Sequence, residues 1–189
     1  MAGSVIFLNG ASSSGKSTIA HATQSLLPLP FWHYSIDHLL HARVLPKDRI
    51  DSGEFPWARL RPSFFHGFHR SIPALAEGGN NILVEHIIET QEWMDRLLHL
   101  LAGHDVFFVG VHCPLAELER RELKRGDRRI GEAKADFAVA HKYCEYDLEL
   151  DGTASSETLA KELAAAWQAR SGSRALTRMV ARNEASGAA

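Results

Sequence analysis

One short segment combines glycines, hydroxyl side chains and a lysine in a spacing that serves phosphate chemistry. The stretch from Gly10 to Thr18 matches the pattern G-x-x-x-x-G-K-[ST] at every fixed position. In such a loop the glycines let successive backbone N–H groups point at phosphate oxygens, while the lysine reaches the β- and γ-phosphates and the next hydroxyl binds Mg²⁺. The sequence therefore predicts a site for a nucleoside triphosphate with Mg²⁺. The candidate nucleotide-binding residues are Gly10, Ala11, Ser12, Ser13, Ser14, Gly15, Lys16, Ser17 and Thr18, of which Lys16 is also a candidate catalytic residue.

Two carboxylates follow strand-like runs of the chain. Asp37 comes directly after residues 31–36, and Glu85 comes after residues 82–84. Because ligands of a doubly wound sheet bind outside the carboxyl ends of its strands, either residue could hold Mg²⁺ or accept a proton from a hydroxyl. The alternative for Asp37 is the N-cap of a helix that starts at His38. The alternative for Glu85 is a structural acid that pairs with a nearby base.

A basic turn lies between two helix-like segments. Arg125, Arg128 and Arg129 flank Gly126, so three guanidinium groups stand close together in the sequence. We predict that residues 121–132 form a lid whose arginines spread over the charge of a transferred phosphoryl group. The alternative is a solvated helix, salt-bridged by the acidic residues nearby.

An aromatic stretch occupies residues 45–73, where prolines interrupt every regular pattern, and we expect it to be irregular. Its rings either line an acceptor pocket, which is usually apolar and aromatic, or form an ordinary layer of the core. Three arginines of the same stretch keep an anionic acceptor open as an alternative. The rings are Phe55, Trp57, Phe64, Phe65 and Phe68, and the arginines are Arg59, Arg61 and Arg70.

The chain contains eleven histidines, which raises the question of a metal site. Pairs three residues apart occur at His38 and His41 and at His66 and His69, but no H-E-x-x-H motif occurs. We therefore expect these histidines to be surface residues or hydrogen-bonded residues.

Composition excludes several classes of protein. The chain has 189 residues, 45% of them apolar, which suits one domain with its own core. With 21 basic and 23 acidic residues, its net charge of −2 is not that of a dedicated nucleic-acid-binding protein. We expect no membrane span, no signal peptide and, because Cys113 and Cys144 are isolated, no CxxC pair. A cytoplasmic protein without nucleic-acid or membrane partners is the expectation.

Strand-like and helix-like runs alternate along the whole chain, which is typical of α/β proteins. We predict a three-layer sandwich with a five-stranded, mostly parallel sheet. Predicted strands are residues 5–8, 31–36, 82–84, 106–111 and 147–150, and predicted helices are 16–27, 38–42, 90–101, 114–124, a segment reaching 143, and 157–169. The expected domain is 1–170, with an acceptor insert at 38–76, and the tail 171–189 either frays or forms a short helix.

Several segments, in this order, resemble the chloramphenicol phosphotransferase family of P-loop kinases. They are Ile6-Phe7-Leu8-Asn9-Gly10 running into the phosphate loop, Ser35-Ile36-Asp37-His38-Leu39, Val109-Gly110-Val111-His112-Cys113, Arg125-Gly126-Asp127-Arg128 and Tyr146-Asp147-Leu148-Glu149-Leu150-Asp151. The resemblance covers residues 4–168. It implies a P-loop kinase fold and transfer of the ATP γ-phosphate to a hydroxyl of a small molecule, as in an antibiotic-inactivating kinase.

The resemblance also implies roles for single residues. Asp37 becomes the candidate catalytic base, Arg125 and Arg128 become lid arginines that bind the nucleotide, and Arg128 is counted as catalytic. Ser17 and Glu85 are the candidate Mg²⁺ ligands. Residues 45–73 depart from the family pattern, and Glu85 is followed by His86 where the family leads us to expect an aspartate pair, so the acceptor is left open.

Two other functions stay open from the sequence. A metabolite or nucleotide kinase of the shikimate or adenylate type would share the loop, the base and the lid. A regulatory module would bind ATP without transferring its phosphate. The oligomeric state is left open as well.

Overall fold

Parallel strands form a five-stranded sheet in the part of the chain that the structure describes. This computed structural model describes residues 1–125 and 130–187. The strands are β1 (Val5–Asn9), β2 (Phe31–Ser35), β3 (Asn81–His86), β4 (Val106–His112) and β5 (Leu148–Asp151). Their order is β2-β3-β1-β4-β5, so β1 lies at the centre, paired in register with residues 82–86 on one side and 106–110 on the other.

Helices cover both faces of the sheet because the central strands are apolar on both faces. They are α1 (Lys16–Gln24), α2 (Ile36–His41), α3 (Lys47–Asp51), α4 (Trp57–Glu77), α5 (Gln91–Leu101), α6 (Leu115–Arg125), α7 (Glu132–Phe137), α8 (Ser156–Gln168) and α9 (Ala175–Gly187). Val5 and Phe7 of β1 pack with side chains of α4, α5 and α9, whereas Ile6 and Leu8 pack with side chains of α1 and α8. This confirms the predicted three-layer α/β architecture. None of the described helices is long and apolar enough to cross a membrane.

The stretch 45–73, predicted to be irregular, is largely helical. It holds α3 and most of α4, and α4 contains both Pro62 and Pro73. A proline inside a helix removes a backbone hydrogen bond and costs roughly 3 kcal/mol or more, which is why the prolines favoured an irregular segment. The helix forms because α4 buries Phe65 and Phe68 in the core, and each large buried apolar side chain stabilises the fold by about 1.5–3 kcal/mol. The expectation of an irregular segment is therefore wrong.

The tail contains α9, which packs onto the sheet. Leu176 and Met179 are buried in the same core cluster as β1 and β4. Asp147, just before β5, accepts the backbone N–H of Ala175 at 2.7 Å and that of Phe108 at 2.9 Å. One carboxylate thus ties the start of α9 to β4, and the helical alternative for the tail is the one found.

Candidate active site

The loop between β1 and α1 has the backbone conformation that its glycines make possible. Gly15 has a φ of +98°, in the left-handed region where a side chain is strained, and Ser13 is also left-handed at +66°. Gly10 has no room for a side chain, because a Cβ there would lie 2.6 Å from the carbonyl oxygen of Val111 on β4. The loop is therefore wrapped tightly against the sheet, with its concave side free to meet an anion.

Polar groups of this loop fit a phosphate chain. The Lys16 ammonium is buried and donates to the carbonyl oxygens of Gly10 and Ala11, at 2.7 and 2.8 Å. Within residues 1–125 and 130–187, the side-chain hydroxyls of Ser12, Ser13 and Ser14 are buried and make no hydrogen bond. Buried hydroxyls usually have partners, so these oxygens, beside a lysine and a helix N-terminus, indicate a place built for phosphate oxygens.

A carboxylate meets the phosphate loop from the neighbouring strand. The Ser17 hydroxyl donates to both carboxylate oxygens of Glu85, at 2.9 and 2.8 Å, and His33 of β2 lies 3.1 Å from the same carboxylate. Burial raises the pKa of Glu85, but the hydrogen bond with His33 and the charge of Lys16 outweigh it and bring the pKa to about 2. Glu85 is therefore ionised, and its oxygens together with the Ser17 hydroxyl are the hard donors that Mg²⁺ prefers.

Asp37 lies in the first turn of α2 and lines a cavity of about 750 Å³ together with Lys16, Ser17 and Glu85. Its alternative role as an N-cap does not hold. The helix begins at Ile36, and the N-cap is Ser35, whose hydroxyl accepts the backbone N–H of His38 at 3.2 Å. Asp37 therefore lies in the first turn of α2, where the helix dipole favours a negative charge, and it lines the cavity.

The predicted lid is described in part. Arg125, the last residue of α6, lines the cavity, whereas the candidate Arg128 and its neighbours 126–129 lie outside the described residues. Glu122 is buried and accepts the backbone N–H groups of Gly131 and Ala133, at 2.9 and 2.8 Å. It therefore joins the end of α6 to the start of α7.

The side of the cavity formed by α4 carries both aromatic and charged side chains. Trp57 and Phe65 of α4 line it, and Phe65 is also buried in the core with Phe68, so the aromatic stretch contributes both to the cavity and to the core. Of the three candidate arginines Arg59, Arg61 and Arg70, Arg61 reaches the cavity, and it forms an ion pair with Glu89 at 2.5 and 2.7 Å. Arg59 and Arg70 are exposed.

Two neutral histidines lie next to these side chains. His86 lines the cavity, and its Nε2 lies 2.9 Å from the Nε2 of His69 on α4. Burial lowers the pKa of His69 to about 3 and lowers that of His86 well below its ordinary value. One ring donates to the other, and the indole of Trp93 stacks on His86 with centroids 5.4 Å apart. The expectation of hydrogen-bonded histidines holds here.

Comparison with known proteins assigns a family. The family model described as "Chloramphenicol phosphotransferase-like protein" matches residues 3–168. The chain belongs to the chloramphenicol phosphotransferase-like family. A protein of Mycobacterium tuberculosis named "Putative O-phosphotransferase", found in strains CDC 1551 and H37Rv, is 35% identical over 187 residues, which cover 88% of this chain and 83% of that protein. The resemblance stated from the sequence is confirmed.

Solved structures similar to this chloramphenicol phosphotransferase-like chain are P-loop kinases. The APS kinase of Mycobacterium tuberculosis, in complex with AMPPNP and APS, has a TM-score of 0.67 at 24% identity, covering 89% of this chain and 99% of that one. Shikimate kinase from Aquifex aeolicus has a TM-score of 0.59 at 21% identity, covering 87% and 96%. The P-loop kinase fold is thereby confirmed.

Two site residues of this family member were missed from the sequence. Arg121 of α6 donates to the carbonyl oxygen of Gly152 at 2.9 Å and reaches those of Ser13 and Ser14, so it braces the phosphate loop. Asp136 of α7 accepts the backbone N–H of Ser12 at 3.0 Å, and burial raises its pKa. Both contacts join residues more than 100 positions apart, and no local pattern announces them.

Proposed function

We propose that the protein is an ATP-dependent phosphotransferase that moves the γ-phosphate to a hydroxyl of a small molecule. The observation that carries this proposal is that the phosphate loop, two carboxylates and an aromatic wall line one cavity. Family membership supports a phosphotransferase, and the P-loop kinase fold supports a nucleoside triphosphate as donor. A single cavity that holds the loop, the carboxylates and the rings suits a donor and an acceptor that bind next to each other.

On the donor side, the loop from Gly10 to Thr18 would bind the triphosphate through its backbone N–H groups and the Lys16 ammonium. Ser17 and Glu85 would hold Mg²⁺, which neutralises charge between the β- and γ-phosphates when it is bound. Arg125 and Arg128 would add guanidinium groups around the transferred phosphoryl group.

On the acceptor side, Asp37 would orient the hydroxyl and take its proton. As the hydroxyl oxygen forms its bond to the γ-phosphorus, the bond from that phosphorus to the β,γ-bridging oxygen breaks, and ADP leaves. The proton of the hydroxyl passes to the Asp37 carboxylate. Such general-base assistance contributes typically about 10²–10⁴-fold to the rate.

The part of the cavity lined by Trp57 and Phe65, which we call the acceptor wall, favours an acceptor with an apolar, flat part over an anionic acceptor. Trp57 and Phe65 offer ring surface, and the charge of Arg61 is already matched by Glu89. A hydroxylated antibiotic of the chloramphenicol kind fits that chemistry better than a carboxylated metabolite such as shikimate.

A screen tests the proposal. The full chain is incubated with Mg²⁺, γ-labelled ATP and pools of hydroxylated antibiotics and metabolites, and labelled products are identified by mass. We expect phosphorylated product from at least one uncharged, ring-containing alcohol, and none with Lys16→Ala. Tight ATP binding without any product across the library would favour the regulatory module instead.

A further inference from the structure

Three potential metal ligands meet next to the candidate magnesium site. They are His33 on β2, His38 on α2 and Glu85 itself on β3, and each offers a ligand atom within 4.8 Å of the other two. The rings of His33 and His38 are 4.4 Å apart, and His33 Nε2 lies 3.1 Å from the Glu85 carboxylate.

The hydrogen bonds of the cluster leave ligand atoms available. The His38 ring is hydrogen-bonded to the backbone of His33, which leaves its second nitrogen for a metal. Among the described residues, the buried Nδ1 of His33 makes no hydrogen bond. Metal-binding histidines commonly use one nitrogen for the metal and bond a backbone carbonyl with the other, as His38 does here.

We propose that His33, His38 and Glu85 form a binding site for a divalent transition-metal ion of the Zn²⁺ or Co²⁺ class. Imidazole nitrogens suit these ions, whereas Mg²⁺ prefers oxygen donors, so the trio differs in selectivity from the pair of Ser17 and Glu85. Three protein ligands leave a fourth position for water. Donors of a tetrahedral centre stand about 3.3 Å apart. His33 and Glu85, at 3.1 Å, already have about that spacing, and the other pairs, within 4.8 Å, need to close by at most about 1.5 Å.

The two cation positions share one carboxylate. Glu85 accepts from the Ser17 hydroxyl with both carboxylate oxygens, and its Oε1 is also the atom that faces His33. A transition-metal ion held by the histidines therefore draws Glu85 away from Ser17 and competes with Mg²⁺. This consequence rests on the proposed function, whereas binding of the ion itself does not.

Titration of the full chain with Co²⁺, without nucleotide, tests the site through the visible absorption of the bound ion. We expect one Co²⁺ to bind per chain. Zn²⁺ should displace it, whereas Mg²⁺ at the same concentration should not. Because even indirect partners of a metal ligand are worth about 10–100-fold in affinity, His38→Ala should weaken binding at least about tenfold. His41→Ala, an exposed histidine one turn further along α2, is the matched control and should bind Co²⁺ like the wild type.

Equal Co²⁺ affinity in the wild type and His38→Ala, or equal loss in His41→Ala, would overturn the site. His33→Gln, which keeps a hydrogen-bonding side chain in β2, should show the same weakening and guards against a folding defect in one variant. Zn²⁺ should also inhibit phosphoryl transfer in the wild type more than in His38→Ala. If no transfer occurs in any variant while Co²⁺ binding follows the expected pattern, the proposed function fails and the metal site stands.

Discussion

The two ends of the cavity are built in different ways. The phosphate end is one contiguous loop, residues 10–18, whose shape depends on Gly10 and Gly15 and whose charge comes from Lys16. The acceptor end is assembled from side chains of α2, α4 and the segment after β3, which lie tens of residues apart in the chain. Under the proposed function, donor binding would be local and backbone-built, whereas acceptor choice would depend on how α4 packs. Substitutions should therefore separate the two ends.

The largest effect is expected at the phosphate end. Lys16→Ala removes the ammonium from a loop that the backbone shapes, so we expect turnover to be lost and ATP affinity to fall sharply, with the fold retained. Isothermal titration with Mg-ATP and a thermal melt measure this. Lys161→Ala, an exposed lysine of α8, is the control. Undiminished ATP affinity in folded Lys16→Ala would mean that the motif does not bind the nucleotide.

The next effect concerns the lid at the boundary between the two ends. Arg125→Ala should lower kcat more than it raises KM for ATP, because its charge is needed most in the transition state. Arginines that act on a γ-phosphoryl group are worth roughly 10³–10⁵-fold in rate. Arg120→Ala is the control, since Arg120 lies on the same helix and pairs with Glu117 at 2.7 Å, but does not line the cavity. Similar kinetics for the two variants would favour the solvated helix.

A smaller effect separates the acceptor end from the donor end. Trp57→Ala removes ring surface from the cavity, so KM for the acceptor should rise about tenfold, equivalent to about 1.4 kcal/mol, with KM for ATP unchanged. Phe55→Ala is the matched control, because the Phe55 ring packs under the guanidinium of Arg49 at 4.0 Å. Loss of thermal stability in Trp57→Ala without a change in acceptor KM would assign this ring to the core alone.

The smallest effect is on stability as the pH falls, and it again distinguishes the two ends. His69 has a folded pKa of about 3, below its ordinary 6.5, because of burial and the nearby charge of Arg96. The contribution of neutral His69 to the free energy of unfolding is complete above pH 6.5 and is lost as the pH falls towards 3. Glu85, with a pKa of about 2 against an ordinary 4.5, loses its contribution only below pH 4.5. We therefore expect the free energy of unfolding to fall between pH 6.5 and 4.5 through buried histidines. His141, with a pKa of about 4, contributes to this fall, and His69 carries the part that comes from the acceptor end.

Denaturant unfolding at several pH values measures that slope. His69→Gln replaces the titrating ring by an amide that can still bond His86, and its slope should be smaller than that of the wild type. His99→Gln, an exposed histidine of α5, is the control and should keep the wild-type slope. Equal slopes in His69→Gln and the wild type would contradict the expectation.

Much of the fold could be predicted because its signals are local. Short apolar strands, the phosphate loop and the alternation of elements predict a parallel sheet, and the rule for carboxyl ends of strands predicts that Asp37 and Glu85 approach the loop. The helix α4 could not be predicted from local sequence, because its two prolines disfavour a helix. Burial of Phe65 and Phe68 in the core outweighs that local effect.

Long-range contacts limit what the sequence predicts about the site. Asp136 reaches the phosphate loop across 124 residues, and His33 reaches Glu85 across 52. No sequence spacing indicates either pair, because the packing of whole helices and strands brings these residues together. Ser35 rather than Asp37 caps α2 because the helix begins two residues earlier than predicted.

The most direct test of the account is the rate of γ-phosphate transfer by Asp37→Asn, measured at saturating Mg-ATP with an acceptor identified in the screen. Asparagine keeps the shape of the side chain, and Ser35 still caps the helix, but the amide cannot take the proton. We expect unchanged ATP affinity and stability with transfer lowered about 10²–10⁴-fold. Retention of more than about a tenth of the wild-type rate would fall outside that range and contradict the role of Asp37, leaving Glu85 as the base.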